Sequence, residues 1–360
     1  MTGLDLLVAA HNAPPATGGI ERWVDDLCRH LAPGRAALLR PPTADHDSPA
    51  DGAYHVLTAP LVGTCPPRWR PARRALLDAP ASAVTLCAEW WPHARALAGA
   101  ERPGVRAVLV HGTEVLRSLH HPRAQRSLVR ALGGMDVVVA NSTYTADLCA
   151  RLDVEAVVLP PGIDLDRPHG DPVELAARLD LDGRPVVASI SRLVPRKGHR
   201  ELLDRWRRVL DAVPDAIWVV AGDGPERAAL EALAPPSVRV LGAVDDPTVG
   251  ALLRLADVHV MPGIAVDGHV EGFGLVAVEA AACGTPTVAT DVGGVGDAVG
   301  AGGIVVADHD ALVDAVTELL RDGVHRRELG ERARTQAAAL AWPELATRYR
   351  EALHLEGVPA

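Results

Sequence analysis

Short apolar runs alternate with amphipathic segments along the whole chain. In the first half, strand-like runs such as LDLLVAA (4–10) and AVLVHG (107–112) are separated by segments with apolar residues at helical spacing, such as IERWVDDLCRHL (20–31). Continuous runs of Val, Ile, Leu and Ala are typical of strands that are buried on both faces. The pattern therefore predicts an α/β protein with parallel, doubly wound sheets.

The second half repeats this scheme, with the strand-like runs PVVASIS, AIWVVAG, VRVLG, VHVMPG, PTVAT and GGIVV. A Pro/Gly-rich stretch at 159–172 separates the halves, and a length of 360 residues is typical of two domains. We expect Rossmann-like domains at 1–165 and 166–342 that face an interdomain cleft. Pro343 is tolerated only in a first helical turn, so a last helix at 343–360 is expected to cross back to the first domain.

Composition and charge narrow the function classes. The chain is 48% hydrophobic and 23% charged, which is ordinary for a globular protein. Residues 1–165 carry 16 arginines against 16 acids, so the whole net charge of −10 lies in residues 166–360. This balance argues against a uniformly basic nucleic-acid binder. An anion bound by the second half would need locally placed cations.

Cysteine usage and the first residues indicate the compartment. No two of the five cysteines have CxxC spacing, so neither a disulfide framework nor a zinc site is expected. The start MTGLDLLVAA lacks a basic region and predicts a buried strand instead of a signal peptide. No apolar run approaches the ~18 residues of a membrane-spanning helix. We therefore expect a cytoplasmic protein with reduced cysteines.

Lys197 is the only lysine among 36 Lys and Arg residues, and it lies in SISRLVPRKGHRELLDRW (189–206). Arg192, Arg196 and Lys197 are placed between a predicted strand and a predicted helix. Cations are unfavourable at a helix N-terminus, so their presence there favours a nearby anion. Lysine is a compact point charge that suits a phosphate. The alternative is that these cations only solvate the start of the helix.

Two glycine turns follow predicted strands. GGI, with Gly18 and Gly19, opens a helix where the backbone can approach an anion, although Gly-Gly is also common in a tight turn. In VVAGDGPERAAL, Gly222 and Gly224 predict a strand–turn–helix close to a phosphate. Arg227 stands where the dinucleotide fingerprint has its third glycine, so NAD binding is not expected.

Two glutamates lie eight positions apart in VEGFGLVAVEAAACGTP. A helix that starts near Gly274 leaves Glu271 in the preceding loop and places Glu279 among apolar helix residues. Burying such a carboxylate costs free energy unless a hydrogen-bond partner or a counter-charge lies beside it. A ribose diol is one such partner, and a structural hydrogen bond is the other. Phe273, the only phenylalanine, lies in the same segment.

Polar and aromatic residues also follow strands of the first half. His111 ends a predicted strand in VLVHGTEVL, with Glu114 three residues later; doubly wound folds place chemistry at such ends, although a lone histidine is often structural. LCAEWWPHARAL places Glu89, Trp90 and Trp91 after another strand. Aromatic faces suit sugar or cyclitol rings, and ordinary packing fits these tryptophans equally well.

A basic segment that contains a tryptophan, PPRWRPARRALL (66–77), allows two interpretations. It fits an amphipathic helix on an anionic membrane, and it also fits a solvated helix with one buried stripe. The residues concerned are Arg68, Trp69, Arg70, Arg73 and Arg74.

Taken in order, these motifs resemble the retaining nucleotide-sugar glycosyltransferases of family 4, which have the GT-B architecture. The resemblance covers nearly the whole chain, and its most specific part is EGFGLVAVE followed by AAACGTPTVATDVGG. The motifs are GGI at 18–20, HGTE at 111–114, SRLVPRKG at 191–198, AGDGPE at 221–226 and EGFGLVAVE at 271–279.

The resemblance implies a site for a nucleotide-sugar donor. Arg192 and Lys197 would neutralise the diphosphate, Glu279 would hold the ribose hydroxyls, and Glu271 would hold the sugar. His111 would lie beside the reacting carbon. Glu89, Trp90, Trp91 and Glu114 would contact the acceptor. The remaining donor contacts, mainly through the backbone, would come from Gly18, Gly19, Gly222, Val244, Phe273, Gly274 and Leu275.

The implied chemistry does not need a nucleophilic carboxylate. Fixed cations and N–H groups stabilise the charge that develops on the leaving diphosphate. Such enzymes are thought to retain configuration by same-face attack, so the two-carboxylate glycosidase scheme is the wrong analogy. Asp164 and Asp166 match the Asp-x-Asp metal motif of the other major glycosyltransferase architecture, but they lie in the predicted linker. We therefore expect no metal and no other cofactor.

The resemblance implies transfer of a hexose or amino-hexose, with a UDP-linked donor as the first expectation. The acceptor would be a hydroxyl of a small molecule, a saccharide or a lipid-linked compound, in antibiotic or cell-envelope biosynthesis. A sugar-nucleotide epimerase, a phosphorylase on a similar scaffold and an inactive nucleotide-sugar-binding subunit are the alternatives.

Overall fold

The computed structural model describes residues 3–16, 18–42, 51–61, 69–165, 170–181, 183–266 and 268–355. The chain divides into two compact units, Met1–Gly162 with Trp342–Ala360, and Ile163–Ala341. The first junction lies inside the Pro/Gly-rich stretch 159–172. Arg68 and Asp166, two residues singled out in the sequence, lie outside the described ranges.

A parallel sheet forms the centre of the first unit. Its seven described strands run in the order β3-β2-β1-β4-β5-β6-β7, and every neighbouring pair is parallel. The strands are β1 (Leu4–Ala9), β2 (Ala36–Arg40), β3 (His55–Thr58), β4 (Ser82–Cys87), β5 (Val105–Val110), β6 (Val137–Ala140) and β7 (Val157–Val158). The helices are α1 (Gly19–Leu31), α2 (Arg70–Asp78), α3 (Arg95–Leu97), α4 (Thr113–Leu119), α5 (Pro122–Leu132) and α6 (Thr143–Ala150), and a kinked turn at Trp90–Ala94 precedes α3.

Three strands of this sheet are not among the strand-like runs that the sequence predicts. β3 and β7 are short edge strands with partly exposed residues, so they lack a continuous buried run. β2 consists of Ala, Leu and Arg, which are strong helix formers. All five of its residues are buried, and burial between β1 and β3 overrides that local preference.

The second unit repeats the architecture with six described strands in the order β10-β9-β8-β11-β12-β13, again all parallel. The strands are β8 (Val186–Ile190), β9 (Ile217–Ala221), β10 (Val238–Gly242), β11 (Val258–Met261), β12 (Thr287–Thr290) and β13 (Ile304–Val306). The helices are α7 (Pro172–Leu179), α8 (His199–Leu203), α9 (Trp206–Ala212), α10 (Arg227–Leu233), α11 (Asp246–Leu255), α12 (Leu275–Cys283), α13 (Val295–Val299), α14 (His309–Arg321) and α15 (Gly323–Ala339).

Each sheet contains one point where the strand order reverses. In the first unit the chain moves outward from β1 to β3 and then returns to place β4 on the other side of β1. In the second unit the same reversal separates β8 from β11. Loops that leave the carboxyl ends of the two strands at such a point diverge and open a crevice, which is where doubly wound folds bind ligands.

The last described helix, α16 (Trp342–Ala352), belongs to the first unit. Pro343 lies in its first turn, as the sequence predicts. Trp342 and Tyr349 are fully buried, and the Tyr349 hydroxyl donates toward the carbonyl oxygens of Leu159 (2.9 Å) and Pro160 (3.0 Å). Burial of these two large aromatic side chains, together with the hydrogen bonds of the Tyr349 hydroxyl, anchors this helix to the first unit.

Candidate functional site

Lys197 lies at the carboxyl end of β8, in a short 3₁₀ turn formed by Pro195–Lys197. Its backbone N–H donates to the carbonyl of Val194 over 2.9 Å, which closes the turn. Gly198 follows with φ of 67°, and a Cβ at this position would collide with the carbonyl oxygen of Pro262. Only glycine combines this φ with this close approach. The position of Lys197 is therefore set by its backbone neighbours.

Glu271 reaches Lys197 from the loop between β11 and α12. Its carbonyl accepts a hydrogen bond from the N–H of Gly294 over 2.8 Å, which fixes the backbone of the loop. One carboxylate oxygen, Oε2, contacts Nη1 of Arg196 at 3.1 Å and also Nζ of Lys197. These residues are more than 70 positions apart, and they meet because β8 and β11 are neighbours where the strand order reverses.

The charge on Glu271 is held by its neighbours. Burial opposes ionisation of the carboxyl, but the charges of Lys197 and Arg196 and their hydrogen bonds outweigh burial and hold its pKa below the usual value. The cation cluster next to the helix start therefore does have an anion beside it. In this structure the anion is the protein's own carboxylate, whose identity the local sequence could not reveal.

A cavity lies next to this ion pair, between the loops that follow β8, β11 and β12. His199, the first residue of α8, lines it with a fully buried ring. Its Nδ1 has no hydrogen-bond partner among the described residues, and its Nε2 lies 3.5 Å from Oγ of Ser191. Burial, with a smaller contribution from Lys197, lowers the pKa of His199 to about 4. The histidine is thus neutral at physiological pH, and no feature of the local sequence distinguishes it as a site residue.

The depressed pKa of His199 makes unfolding pH-dependent. Between its ordinary value of 6.5 and about 4, the unfolded state binds a proton that the folded state refuses, so stability falls as the pH falls through this window. One such group contributes on the order of 3 kcal/mol over the window. We expect His199→Gln to reduce the pH dependence of the urea midpoint between pH 6.5 and 4. His120→Gln, at an exposed position, serves as the control. An unchanged slope in His199→Gln would contradict this assignment.

Arg192 is exposed, and its guanidinium makes no hydrogen bond or ion pair with the residues that the structure describes. Its loop is braced by the AGDG turn after β9. Leu193 donates to the carbonyl of Asp223 over 2.8 Å, and a Cβ on Gly222, at φ of 139°, would collide with the carbonyl of Ser191. Glycine at position 222 is therefore required by packing, because it lets the AGDG turn approach the backbone of the loop that carries Arg192.

The other donor-site candidates of the second unit surround the N-terminus of α12 and the end of β10. Phe273 is 4% exposed and packs into the core, and Gly274 adopts φ of 96° as the residue that precedes the helix, as expected from the sequence. Leu275 begins the helix and Glu279 lies in its second turn, both half-buried. Val244 is half-buried in the loop between β10 and α11. The structure brings Glu271 and the α12 start together; Val244 lies on a different loop.

The glycine turn of the first unit lies at the carboxyl end of β1. Gly18 precedes α1 with an extended backbone, and Gly19 is the first residue of the helix. No heavy atom lies within 4 Å of the position that a Cβ on Gly19 would occupy. Packing within the described structure therefore does not require glycine at position 19, and the space beside its backbone is open.

His111 follows β5 and is held from three sides. Its Nε2 lies 2.7 Å from the carbonyl oxygen of Ala88, which requires the tautomer with the proton on Nε2. The ring meets Trp23 edge-on at a centroid distance of 5.4 Å. The Glu114 carboxylate accepts a hydrogen bond from the backbone N–H of His111 over 2.5 Å. Glu114 therefore orients the histidine backbone, which its sequence position did not indicate.

Glu89 connects two loops where the strand order of the first sheet reverses. Its carboxylate accepts hydrogen bonds from the N–H groups of His11 (3.2 Å) and Asn12 (2.9 Å), and it lies 3.0 Å from Nδ1 of the buried His93. Burial opposes ionisation, but these partners hold the pKa of Glu89 below its usual value. Trp90 and Trp91 follow, half-buried, with ring centroids 5.8 Å apart. The contact of Glu89 with the loop that leads to Gly18 was missed because it depends on β1 and β4 being neighbours.

Comparisons with known proteins agree with this geometry. Residues 17–167 match the model described as Glycosyltransferase Family 4, and residues 174–336 match the model described as Glycosyl transferases group 1. The chain is 33% identical to the GDP-mannose-dependent alpha-(1-6)-phosphatidylinositol monomannoside mannosyltransferase of Mycobacterium tuberculosis, over 97% of both chains. The chain belongs to the family-4 glycosyltransferases.

Other relatives and solved structures extend this assignment. This glycosyltransferase is 36% identical to the D-inositol 3-phosphate glycosyltransferase of Corynebacterium jeikeium, over 59% of its own length and 52% of that protein. The structure of Anabaena HepE in complex with UDP superposes with a TM-score of 0.77 at 21% identity, over 98% of this chain and all of that one. Sucrose-phosphate synthase from Thermosynechococcus elongatus superposes with a TM-score of 0.75 at 19% identity, over 98% of both chains. The two parallel-sheet units are those of the GT-B fold, as the resemblance implies.

Proposed function

We propose that this glycosyltransferase transfers a hexose, with retention of configuration and without a metal ion, from a nucleotide diphosphate sugar whose diphosphate binds Arg192 and Lys197. The observation that carries the proposal is the contact of Lys197 and Arg196 with Glu271 where the second sheet reverses. A folded protein that keeps two cations and one carboxylate together in a crevice has a preformed anion site.

A diphosphate would compete with Glu271 for Lys197. Glu271 supplies one negative charge to two cations, so the cluster still attracts an anion of higher charge. Arg192, exposed and without a partner among the described residues, adds a third cation on the same loop. These groups would stabilise the charge that develops on the leaving diphosphate. Gly19, open on one side, keeps its proposed role of approaching a phosphate through its backbone N–H.

The carboxylates fit binding roles better than a nucleophilic role. Glu271 is held in an ion pair with two cations, which weakens its nucleophilicity, and we propose that it contacts the donor sugar. Glu279 lies in the second turn of α12, and we propose that it binds the ribose hydroxyls. Retention would then follow from same-face attack, in which the departing phosphate helps to deprotonate the acceptor. His111 would contribute its fixed ring beside the reacting carbon.

We propose GDP-mannose as the donor to test first. The relatives that match along nearly the full length are named as GDP-mannose-dependent, whereas HepE, whose structure contains UDP, matches at only 21% identity. The UDP-linked donor expected from the sequence stays a prediction, since backbone contacts to the base near Val244 leave little trace in side chains. We propose an inositol-bearing lipid as the acceptor, because the named relatives act on phosphatidylinositol monomannoside or inositol phosphate.

A donor screen tests this proposal. We expect the purified enzyme to transfer mannose from GDP-mannose to a phosphatidylinositol mannoside, with undiminished rate in EDTA and with the α-configuration of the donor kept in the product by NMR. UDP-glucose, UDP-N-acetylglucosamine and ADP-glucose complete the panel. Interconversion of nucleotide sugars without a glycoside would indicate the epimerase alternative, and phosphate-dependent cleavage the phosphorylase. Binding without turnover would indicate an inactive subunit.

We also propose peripheral contact with an anionic membrane through α2. Two side chains of the basic segment make contacts within the protein. Arg73 donates to the carbonyl of Gly99 over 2.9 Å, and the guanidinium of Arg95 lies 4.9 Å from the centre of the Trp69 ring. The side chains of α2 that remain exposed are those of Arg70, Arg74, Leu77 and Asp78, which share one helical face, and Asp78 lies 3.5 Å from Nε of Arg74. Among the described helices, none is long and apolar enough to cross a bilayer. A surface contact is therefore the form of membrane association that these residues support.

Removing the two exposed arginines of α2 tests the membrane contact. Each arginine near an anionic surface contributes about 1 kcal/mol, so Arg70→Ala/Arg74→Ala is expected to lower the partition coefficient onto phosphatidylglycerol vesicles about 10-fold or more. Arg327→Ala/Arg332→Ala removes the same charge from exposed positions of α15 and should leave partitioning nearly unchanged. Equal co-sedimentation of both double variants would remove α2 as the contact.

A further inference from the structure

Arg196 shares the carboxylate of Glu271 with Lys197. Both cations contact the same oxygen, Oε2, and all three side chains are about one-fifth exposed. The family resemblance implies that Arg192 and Lys197 bind the diphosphate, and it gives Arg196 no role. Two cations on one carboxylate oxygen is more charge than pairing of Glu271 requires. The second cation would keep Glu271 paired if the first moves to the donor when the donor binds.

Donor binding would change the surroundings of Glu271, and this step rests on the proposed function. When the Lys197 ammonium turns to the diphosphate, Glu271 loses one partner and faces an incoming group of its own charge. A largely buried carboxylate without a counter-charge is costly, and its pKa would rise. Arg196 prevents this, because its guanidinium can stay on Oε2. A guanidinium remains charged at every physiological pH, unlike a buried ammonium.

The backbone of the site is fixed on both sides of the ion pair, so a side chain can turn without a movement of the loops. The carbonyl of Arg196 accepts a hydrogen bond from the N–H of Ile264 over 3.0 Å, and the carbonyl of Glu271 accepts one from Gly294 over 2.8 Å. The first bond ties the Arg196 turn to the chain that follows β11, from which Glu271 also extends. The Arg196–Glu271 contact therefore joins two segments whose backbones are already fixed to each other, so the Lys197 side chain can turn without moving either segment.

We propose that Arg196 is a positioning residue that keeps Glu271 ionised and directed at the donor sugar while Lys197 binds the diphosphate. Arg196 then determines recognition of the sugar and not of the nucleotide. Neighbouring cations consequently recognise the two parts of the donor. Lys197 binds the diphosphate directly, and Arg196 positions Glu271, which contacts the sugar.

Binding of GDP and of GDP-mannose separates these roles. By calorimetry, we expect Arg196→Ala to bind GDP within about 3-fold of the wild type but GDP-mannose at least 10-fold more weakly, with Arg196→Lys in between. The acidic limb of the kcat/KM profile should move to higher pH in Arg196→Ala, because Glu271 loses its fixed counter-charge. Arg200→Ala removes an exposed cation from the next helix and is expected to match the wild type in both measurements.

A double-mutant cycle tests whether Arg196 acts through Glu271. Adding Arg196→Ala to Glu271→Gln should not weaken GDP-mannose binding further, since the charge that Arg196 holds is already gone. Equal weakening of GDP and GDP-mannose in Arg196→Ala would overturn the proposal, because Arg196 would then bind the diphosphate itself. Additive effects in the cycle, or an unshifted pH profile, would overturn it as well. A wild-type enzyme that binds neither ligand, nor any other nucleotide sugar of the panel, would instead refute the proposed function.

Discussion

Lys197→Ala is expected to lower the rate of sugar transfer at least about 100-fold, because removing one fixed group that stabilises developing charge commonly costs 10²–10³ in kcat. Lys197 is the only lysine of the chain, and the approach of Gly198 to the carbonyl of Pro262 holds its turn in place, so no other lysine can replace it. The loss should appear mainly in kcat, since charge accumulates on the leaving group in the transition state. Steady-state kinetics with GDP-mannose and a saturating acceptor measures the effect.

Two further variants show whether charge or geometry is responsible. Arg200→Ala removes a cation three residues away on the exposed face of α8 and should retain near-normal turnover. Lys197→Arg keeps the charge but exchanges a compact ammonium for a planar fork, and we expect partial activity. Thermal unfolding of all three variants confirms that they are folded. Near-normal turnover of a folded Lys197→Ala protein would refute the assignment of the diphosphate to this site.

Gly198→Ala is expected to cause the largest loss of stability among single substitutions near the site. An alanine there must adopt φ of 67°, which costs about 1–2 kcal/mol for a residue with a Cβ. In addition its Cβ would collide with the carbonyl oxygen of Pro262, a backbone atom that cannot turn away. Together these effects should lower the free energy of unfolding by about 4 kcal/mol or more, at the upper end of point substitutions. Urea denaturation measures the loss.

Gly183→Ala is the matched control for Gly198→Ala. Gly183 has nearly the same φ, 71°, but no atom lies within 4 Å of its Cβ position. Its substitution therefore isolates the cost of the backbone conformation, about 1–2 kcal/mol. The difference between the two variants measures the close approach to Pro262. Equal losses in both would show that the 3₁₀ turn relaxes without cost, and that Lys197 is held less firmly than its geometry indicates.

Local features of the chain were predictable where neighbours in sequence decide them. The start of α12 after Gly274 and the placement of Pro343 in a first turn follow from backbone rules that apply to single residues. The strands with continuous apolar runs were also predicted, because burial on both faces leaves a clear pattern. β2 was not predicted, since Ala and Leu favour a helix in isolation and only neighbouring strands override that preference.

Contacts within the site were predictable only in part. The cluster of Arg192, Arg196 and Lys197 indicated a nearby anion, because cations and a helix N-terminus repel each other. That the anion in the folded chain is Glu271 depends on β8 and β11 being neighbours, which no local pattern encodes. The same holds for Glu89, whose hydrogen bonds to His11 and Asn12 require β1 beside β4.

The amino-acid sequence alone established the alternation of strands and helices, the two-unit organisation and the family, because periodicity and motif spacing are properties of neighbouring residues. It also determined that a single ammonium stands among arginines at position 197. The folded structure was needed to show which carboxylate that ammonium contacts, that Arg196 shares it, and that Glu89 and Glu114 accept hydrogen bonds from backbone N–H groups. The physical reason is strand order: parallel sheets join residues through crossovers, so partners far apart in the chain meet at strand ends that the sequence does not pair.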